Sequence, residues 1–252
     1  MNRRPLVAAI VVAAVFTAVQ TALPLFGVPG YEAAELQAIL FAFLAGHLAI
    51  AFVGRRDDGE EPLHAAARSS AVSFALLAGV CAVMLASAMV RGERDLAWSF
   101  AWFLVLPVPT ILLASAWGFL VAVIASSPRK RHIAYALIVI AHFAYEIMLI
   151  WKQPVTFSFN VLLGYFPGPV YDRAVYFTDA VFSSRAQAVL LAIFLTGFSL
   201  ITGRRRRDRR SANVLPLQLA ALSAIGFGRA RADGLRDRNG NAPGKNRKRT
   251  RR

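Results

Sequence analysis

Residues 96–125 read LAWSFAWFLVLPVPTILLASAWGFLVAVIA, thirty residues without one charged side chain. A helix needs about 20 mostly apolar residues to cross the hydrocarbon of a bilayer. Such a crossing must be helical, because lipid offers no partners to free backbone N–H and C=O groups. Pro107 and Pro109 remove two backbone donors, so the sequence predicts a kinked or broken membrane helix here.

Five more segments of the chain have the same apolar character. The predicted spans are 6–26, 36–53, 69–90, 96–125, 133–151 and 186–203. Hydrophobic residues make up 57% of the 252 residues and charged residues 17%, and the mean hydropathy is +0.50. This composition excludes a disordered chain, a collagen and most soluble enzyme folds. The predicted fold class is all-α, a polytopic bundle of six transmembrane helices, or seven if residues 214–227 also cross.

Charge divides the chain into a bundle, residues 1–203, and a basic tail, residues 204–252. The tail holds 16 basic and 3 acidic residues, whereas the bundle holds 13 basic and 11 acidic residues. Basic residues accumulate in the cytoplasmic loops of membrane proteins. A cytoplasmic N-terminus puts 14 basic residues in the inner segments and 5 in the outer loops. We therefore expect this orientation, in a bacterial inner membrane.

The tail begins with a cluster of arginines directly after the sixth span. The cluster consists of Arg204, Arg205, Arg206, Arg207, Arg209 and Arg210. Each such charge near anionic lipid contributes about 1 kcal/mol, so the lipid bilayer is the expected partner of this cluster. The rest of the tail is expected to be partly disordered, with residues 214–227 as a short span or an interfacial helix. Residues 245–252 lack aromatics that stack on bases, so nucleic acid is not an expected partner.

The segment between the last two predicted spans, residues 152–184, contains eight aromatic residues. A freely solvated loop does not expose so many. The apolar residues after Pro169 recur at helical spacing, which predicts an amphipathic helix on the outer leaflet or on top of the bundle. The loop is either a packed lid on the bundle, or a substrate vestibule or docking surface. In the second case Tyr165, Tyr171 and Asp172 are its candidate polar groups.

Two ionisable side chains, His142 and Glu146, lie inside the fifth predicted span. Their spacing of four residues places them on one face of a helix. Ionisable groups at bilayer depth are costly and therefore mark candidate functional sites. The two residues could relay protons or hold an ion, or they could be a hydrogen-bonded pair that fixes helix packing. His47 and Gln20 are predicted to be single hydrogen-bond donors between helices.

Two further features are predicted to be structural. Glu35 lies at the start of the second span, where a carboxylate favours the positive terminus of the helix. Small residues also recur at spacings of four, which lets helix backbones approach closely. They are Ala78, Ala82 and Ala86 in the third span and Ala114, Gly118 and Ala122 in the fourth.

Catalytic and cofactor motifs do not stand out in the sequence. None of the four histidines, His47, His64, His132 and His142, is followed by Glu, so there is no HExxH zinc motif. Cys81 is the only cysteine, which excludes an intrachain disulfide and a cysteine-based zinc site. No catalytic, metal-binding or cofactor-binding residue is predicted, and an enzyme is the least supported class.

Three segments carry a resemblance to other proteins: FLVLP at 103–107, PVTF at 154–157 and GYFPGPVYD at 164–172. Over residues 97–203 the chain resembles uncharacterised bacterial membrane proteins that share a GYFPGPxYD loop. Longer proteins of this kind continue into a domain similar to gluzincin metallopeptidases, which is absent here. The prolines and glycines of the loop also predict tight turns between residues 164 and 169.

Three functional hypotheses follow from these features. The chain is a membrane domain or anchor for an extramembrane module or partner protein. Alternatively, it is a transporter or permease-like subunit that uses His142 and Glu146. As a further alternative that the resemblance implies, it is the membrane part of a metallopeptidase-like protein without its catalytic domain.

Overall fold

The computed structural model describes residues 4–23, 26–27, 29–55, 60–93, 95–152, 158–166 and 177–208. Its helices are α1 (Arg4–Ala22), α2 (Tyr31–Gly54), α3 (Pro62–Val90), α4 (Leu96–Val105), α5 (Pro107–Ile124), α6 (Pro128–Lys152) and α7 (Asp179–Asp208). A small antiparallel hairpin, β1 (Ser158–Asn160) and β2 (Gly164–Phe166), follows α6 in the chain.

The helices confirm the predicted all-α bundle. In the described part of the chain, six helical segments are long and apolar enough to cross a membrane. They are Arg4–Ala22, Tyr31–Gly54, Pro62–Val90, Leu96–Ile124, Pro128–Leu149 and Asp179–Gly203. These helices make the chain a multi-pass membrane protein. The seventh span predicted at 214–227 lies outside the described residues.

The fourth span is broken at Leu106, as its two prolines predict. Pro107 and Pro109 cannot donate to carbonyls four residues earlier, but proline is tolerated in the first turn of a helix, so α5 begins at Pro107. The hydroxyl oxygen of Thr110 lies 3.1 Å from the carbonyl oxygen of Leu106. Leu106 itself keeps helical backbone angles and donates to the carbonyl oxygen of Trp102 at 3.0 Å, so the break is confined to this one residue, next to a buried hydroxyl.

Helices α2 and α5 form the centre of the bundle, because two glycines let their backbones meet. A Cβ on Gly118 would come within 2.8 Å of the Cα of Gly46. Tyr135 of α6 packs against Gly46 as well, and its hydroxyl donates to the carbonyl oxygen of Ala42. The close packing predicted for the fourth span is thus confirmed at Gly118.

The small residues of α3 do not pack inside the bundle, so that part of the prediction is wrong. Ala78, Ala82 and Ala86 are all exposed, whereas Leu77 and Met84 of the same helix are buried. Spacing alone cannot tell a face that packs on a helix from a face that meets lipid.

Polar side chains join α2 to its neighbours at both of its ends. Gln20 of α1 donates to the carbonyl oxygen of Ala33 at 3.0 Å, and Gln37 donates to the Gln20 side-chain oxygen at 2.6 Å. Near the other end, Nδ1 of His47 lies 3.0 Å from Nδ1 of His132 on α6. Gln20 and His47 therefore make the interhelical hydrogen bonds that were predicted, which satisfy groups that lipid cannot satisfy.

Candidate functional site

The turn of the β1–β2 hairpin lies inside the bundle. Leu162 and Leu163 form this turn, and both are fully buried. The carbonyl oxygen of Leu162 lies 3.0 Å from the hydroxyl oxygen of Thr110, beside the break between α4 and α5. A hairpin with three-residue strands is not stable by itself. Its conformation therefore depends on the helices around it.

Asn160 shapes the turn and attaches it to α6. Its side-chain oxygen accepts from the backbone N–H groups of Leu162 at 3.0 Å and Leu163 at 2.9 Å, which is the bonding of an Asx turn. Its side-chain nitrogen donates to the carbonyl oxygen of His142 and to Oε2 of Glu146, each at 3.1 Å. One amide, only 2% exposed, thus connects the hairpin to the two residues predicted as a functional pair.

Arg185 holds the hairpin from the side of α7. Its Nη2 donates to the carbonyl oxygen of Asn160 at 2.5 Å and lies 3.3 Å from that of Gly164. The residue is only 4% exposed, and its Nε and Nη1 have no hydrogen-bond acceptor among the described residues. A guanidinium buried to this degree is costly unless an opposite charge lies near it.

Glu35 of α2 supplies the opposite charge. It is buried at 5% exposure and acts electrostatically on Arg185. Its carboxylate lies against Gly164, where an added Cβ would come within 2.8 Å of Oε1. Gly164 also has a φ of 136°, which side chains rarely adopt. Glycine is therefore required at this position both for the backbone conformation and for the space that the carboxylate fills.

The arrangement places a buried cation near one buried carboxylate, Glu35, while a second buried carboxylate, Glu146, bonds to the side chain of Asn160. Arg185 belongs to α7, Glu35 to α2 and Glu146 to α6. In the described part of the chain, Oε1 of Glu146 has no hydrogen-bond donor. We call these three residues, together with Asn160 and His142, the hairpin cluster. It can hold the hairpin in place, and Glu146 can take up or release a proton.

Aromatic side chains from α2, from α4 and from the residue before α7 pack against one another. The ring centroid of Phe177 lies 4.1 Å from that of Trp102 and 4.6 Å from that of Trp98, and Tyr31 meets Trp102 edge-on at 5.2 Å. Phe177 precedes α7, so the amphipathic helix predicted for the loop is wrong at this residue. Residues 170–176 of that prediction lie outside the described part. The packed aromatic rings fix the end of the loop that precedes α7.

The structure brings together two of the five polar residues predicted as candidates. His142 and Glu146 are both buried in α6 and are bridged by the amide of Asn160. Tyr165 lies in β2, with its Cα opposite Phe159. Tyr171 and Asp172 lie outside the described residues.

The predicted basic anchor is described only in part. The main chain of Arg204, Arg205, Arg206 and Arg207 continues α7, which ends at Asp208. Arg209 and Arg210 lie outside the described residues. Residues 205–252 form a unit separate from residues 1–204, and the structure describes only 205–208 of it.

The sequence analysis missed Asn160 and Arg185, and it gave Glu35 only a role at a helix terminus. Arg185 was counted with the outer loop, because the sixth span was predicted to begin at residue 186, whereas α7 begins at Asp179. One feature of the sequence did point to Arg185. It adjoins an apolar run on the predicted outer side of the membrane, where basic residues are rare. Asn160 gave no signal, because its partners lie up to 25 residues away along the chain.

No group of three or more His, Cys, Asp or Glu side chains that could hold a metal ion occurs within the described ranges. Comparison with known proteins finds no family model, curated protein or solved structure that matches this chain.

Proposed function

We propose that this chain is a membrane domain that anchors and presents an extramembrane module or partner protein in a bacterial inner membrane. The observation that supports this proposal is the fixation of the hairpin by Arg185 and Asn160. Four side-chain atoms of the hairpin cluster bond to the hairpin or within it, namely Oδ1 and Nδ2 of Asn160, Oε2 of Glu146 and Nη2 of Arg185. A transport path needs polar groups that face a passage, whereas an anchor needs a loop of fixed position.

The segment that would meet a partner is residues 167–176, because both of its flanks are fixed. Before it, β2 ends at Phe166 in the inserted hairpin. After it, Phe177 packs on Trp98 and Trp102. A segment whose ends are already ordered loses less conformational entropy on binding than a free loop does. Tyr171 and Asp172 belong to this segment, which lies outside the described residues, and their ring and carboxylate are the proposed contacts to a partner.

The proposed orientation has the N-terminus in the cytoplasm and the hairpin on the outer side. The excess of basic residues in the segments that would then be inside supports it. In this orientation the arginines at positions 204–207, 209 and 210 would meet anionic lipid at the inner leaflet.

Photocrosslinking in living cells tests the proposal. A photoreactive amino acid placed at Tyr171 or Asp172 is expected to give one discrete adduct of higher mass. The matched control places it at Ala141, an exposed position on α6. Adducts of the same pattern at all three positions, or none at 171 and 172, would contradict the proposal.

A second function, a transporter or permease-like subunit, is supported by Glu146. This carboxylate is 4% exposed inside a predicted span, lies one helical turn from His142, and its Oε1 accepts no hydrogen bond from any described residue. Such a group can carry a proton across part of the membrane.

Proton movement into vesicles that contain the purified protein tests this second function. Glu146→Gln and His142→Ala are expected to abolish the flux. Glu61→Gln, which changes an exposed carboxylate, is expected to leave it unchanged. Equal flux for the wild-type protein and both site variants removes the transporter hypothesis.

A further inference from the structure

A groove of about 270 Å³ runs along the side of the bundle between α3, α5 and α7. Its walls are mostly apolar, and the hydroxyl groups of Ser70, Ser115 and Thr196 are its polar part. Every lining residue belongs to a segment long and apolar enough to cross a membrane. The groove therefore faces lipid, and it lies near the end of α3 that carries Glu61 and Arg68, where the surrounding medium passes from hydrocarbon to headgroups.

The groove is open to that medium, but it is narrow. Ala67 at its edge is exposed, and Ile193 is 64% exposed. On each helix the lining residues extend over about 10 Å, at 1.5 Å per residue. The space between the helices amounts to about 270 Å³ over this length, whereas a helix with its side chains is about 10–12 Å wide. A helix of a partner protein therefore does not fit inside it, whereas a single hydrocarbon chain does.

Ser115 provides an independent indication that the groove has an occupant. It is only 5% exposed, it lines the groove, and its hydroxyl has no hydrogen-bond partner among the described residues. The hydroxyls of Ser70 and Thr196 behave differently, since they donate to the carbonyl oxygens of Ala66 at 3.2 Å and Ala192 at 2.8 Å. A buried hydroxyl without a partner is costly, so an acceptor brought by a ligand would relieve that cost.

We propose that the groove binds one ester-linked phospholipid of the bilayer, with an acyl chain along the groove and an ester oxygen accepting from Ser115. The apolar walls suit the chain, and the alanines on α3 and α7 leave room for it. The ester group is the hydrogen-bond acceptor that a phospholipid carries next to its chains. This binding site is separate from the hairpin cluster and independent of the function proposed for it.

Native mass spectrometry of protein purified in mild detergent tests the proposal. Wild-type protein is expected to retain one phospholipid, and Ala67→Phe, which fills the groove from its exposed edge, is expected to retain none. Ala141→Phe makes the same change on an exposed position of α6 and is expected to behave as wild type. Equal retention by Ala67→Phe and wild-type protein would overturn the proposal.

A second experiment uses the wild-type protein, so it does not depend on the folding of a variant. The protein is placed in vesicles that contain a phospholipid with a photoreactive group in its acyl chain. Adducts are expected on buried Ser115 as well as on exposed residues such as Leu137. Adducts on exposed residues alone would overturn the proposal, because a chain in the groove must lie against Ser115.

Discussion

The guanidinium of Arg185 donates to the main-chain carbonyl oxygen of Asn160 at 2.5 Å, and this bond joins α7 to a hairpin that turns inside the bundle. The side chain of the same asparagine donates to α6, at His142 and Glu146. Two residues thus connect the hairpin to two membrane helices. A buried polar group favours one arrangement of the chain over others when its hydrogen bonds are satisfied, as those of the Asn160 amide are. The stability of the bundle should depend on this network and on the contact between α2 and α5 at Gly118.

Asn160→Ala is expected to lower the free energy of unfolding by about 3 kcal/mol, because it leaves buried acceptors on α6 and N–H donors in the turn without partners. Reversible unfolding in mixed micelles measures the change. Ser70→Ala removes a hydroxyl that bonds only within its own helix, and it should change the free energy by less than about 0.5 kcal/mol. Similar small effects for both variants would show that the amide does not hold the hairpin.

Glu35 and Arg185 are expected to be energetically coupled. Glu35→Gln or Arg185→Met alone leaves a buried charge without compensation and should cost about 3–5 kcal/mol. The double variant removes both charges and should cost clearly less than the sum of the two single changes. A double-mutant cycle on unfolding free energies measures the coupling, and strict additivity would contradict the pairing.

Gly164→Ala is expected to destabilise the protein by at least about 2 kcal/mol, because of its positive φ and its contact with Glu35. Part of this cost should disappear in a Glu35→Ala background, where the contact is relieved and the backbone strain remains. Gly79→Ala is the matched control, since a Cβ there meets nothing within 4 Å. Thermal unfolding in detergent compares the wild type with Gly164→Ala, Glu35→Ala, the double variant and Gly79→Ala. A Gly164→Ala variant as stable as Gly79→Ala would be incompatible with the inserted hairpin.

Gly118→Val is expected to separate α2 from α5, because even a Cβ at this position would come within 2.8 Å of the Cα of Gly46. Overpacking in a close-packed interior typically lowers the free energy of unfolding by about 1–3 kcal/mol. A clash between two backbones should lie at the upper end of that range. Gly197→Val changes an α7 glycine whose Cβ would meet nothing within 4 Å. The melting temperature of Gly118→Val should fall well below that of Gly197→Val, and equal melting temperatures would speak against this crossing.

The spans and the break in the fourth helix were predictable because they depend on local properties. An apolar run of sufficient length must form a helix in lipid, and Pro107 with Pro109 interrupts that helix wherever it lies. The ends of the spans were less predictable. Helix α7 begins at Asp179, seven residues before the predicted span, since buried partners for Arg185 let the helix carry a charge into the bundle.

The hairpin was not predictable from the residues that form it. Tight turns were expected between residues 164 and 169, of which 164–166 form β2 and 167–169 lie outside the described residues. The hairpin turn itself lies at residues 161–163 and is capped by Asn160. The aromatic content of the loop indicated packing, which the contact between Phe177 and Trp102 confirms. Contacts between residues far apart in sequence decide where a small hairpin lies. Such contacts cannot be predicted from the hydrophobic periodicity of the sequence.

Accessibility of a thiol in the hairpin turn tests the insertion most directly. In a Cys81→Ser background, Leu162→Cys is expected to resist a membrane-impermeant maleimide, because Leu162 is fully buried. Thr178→Cys, at an exposed position just before α7, is expected to react quickly from one side of the membrane. Adding Arg185→Met to Leu162→Cys should restore labelling by releasing the hairpin. Rapid labelling of Leu162→Cys with Arg185 intact would contradict the insertion of the hairpin into the bundle.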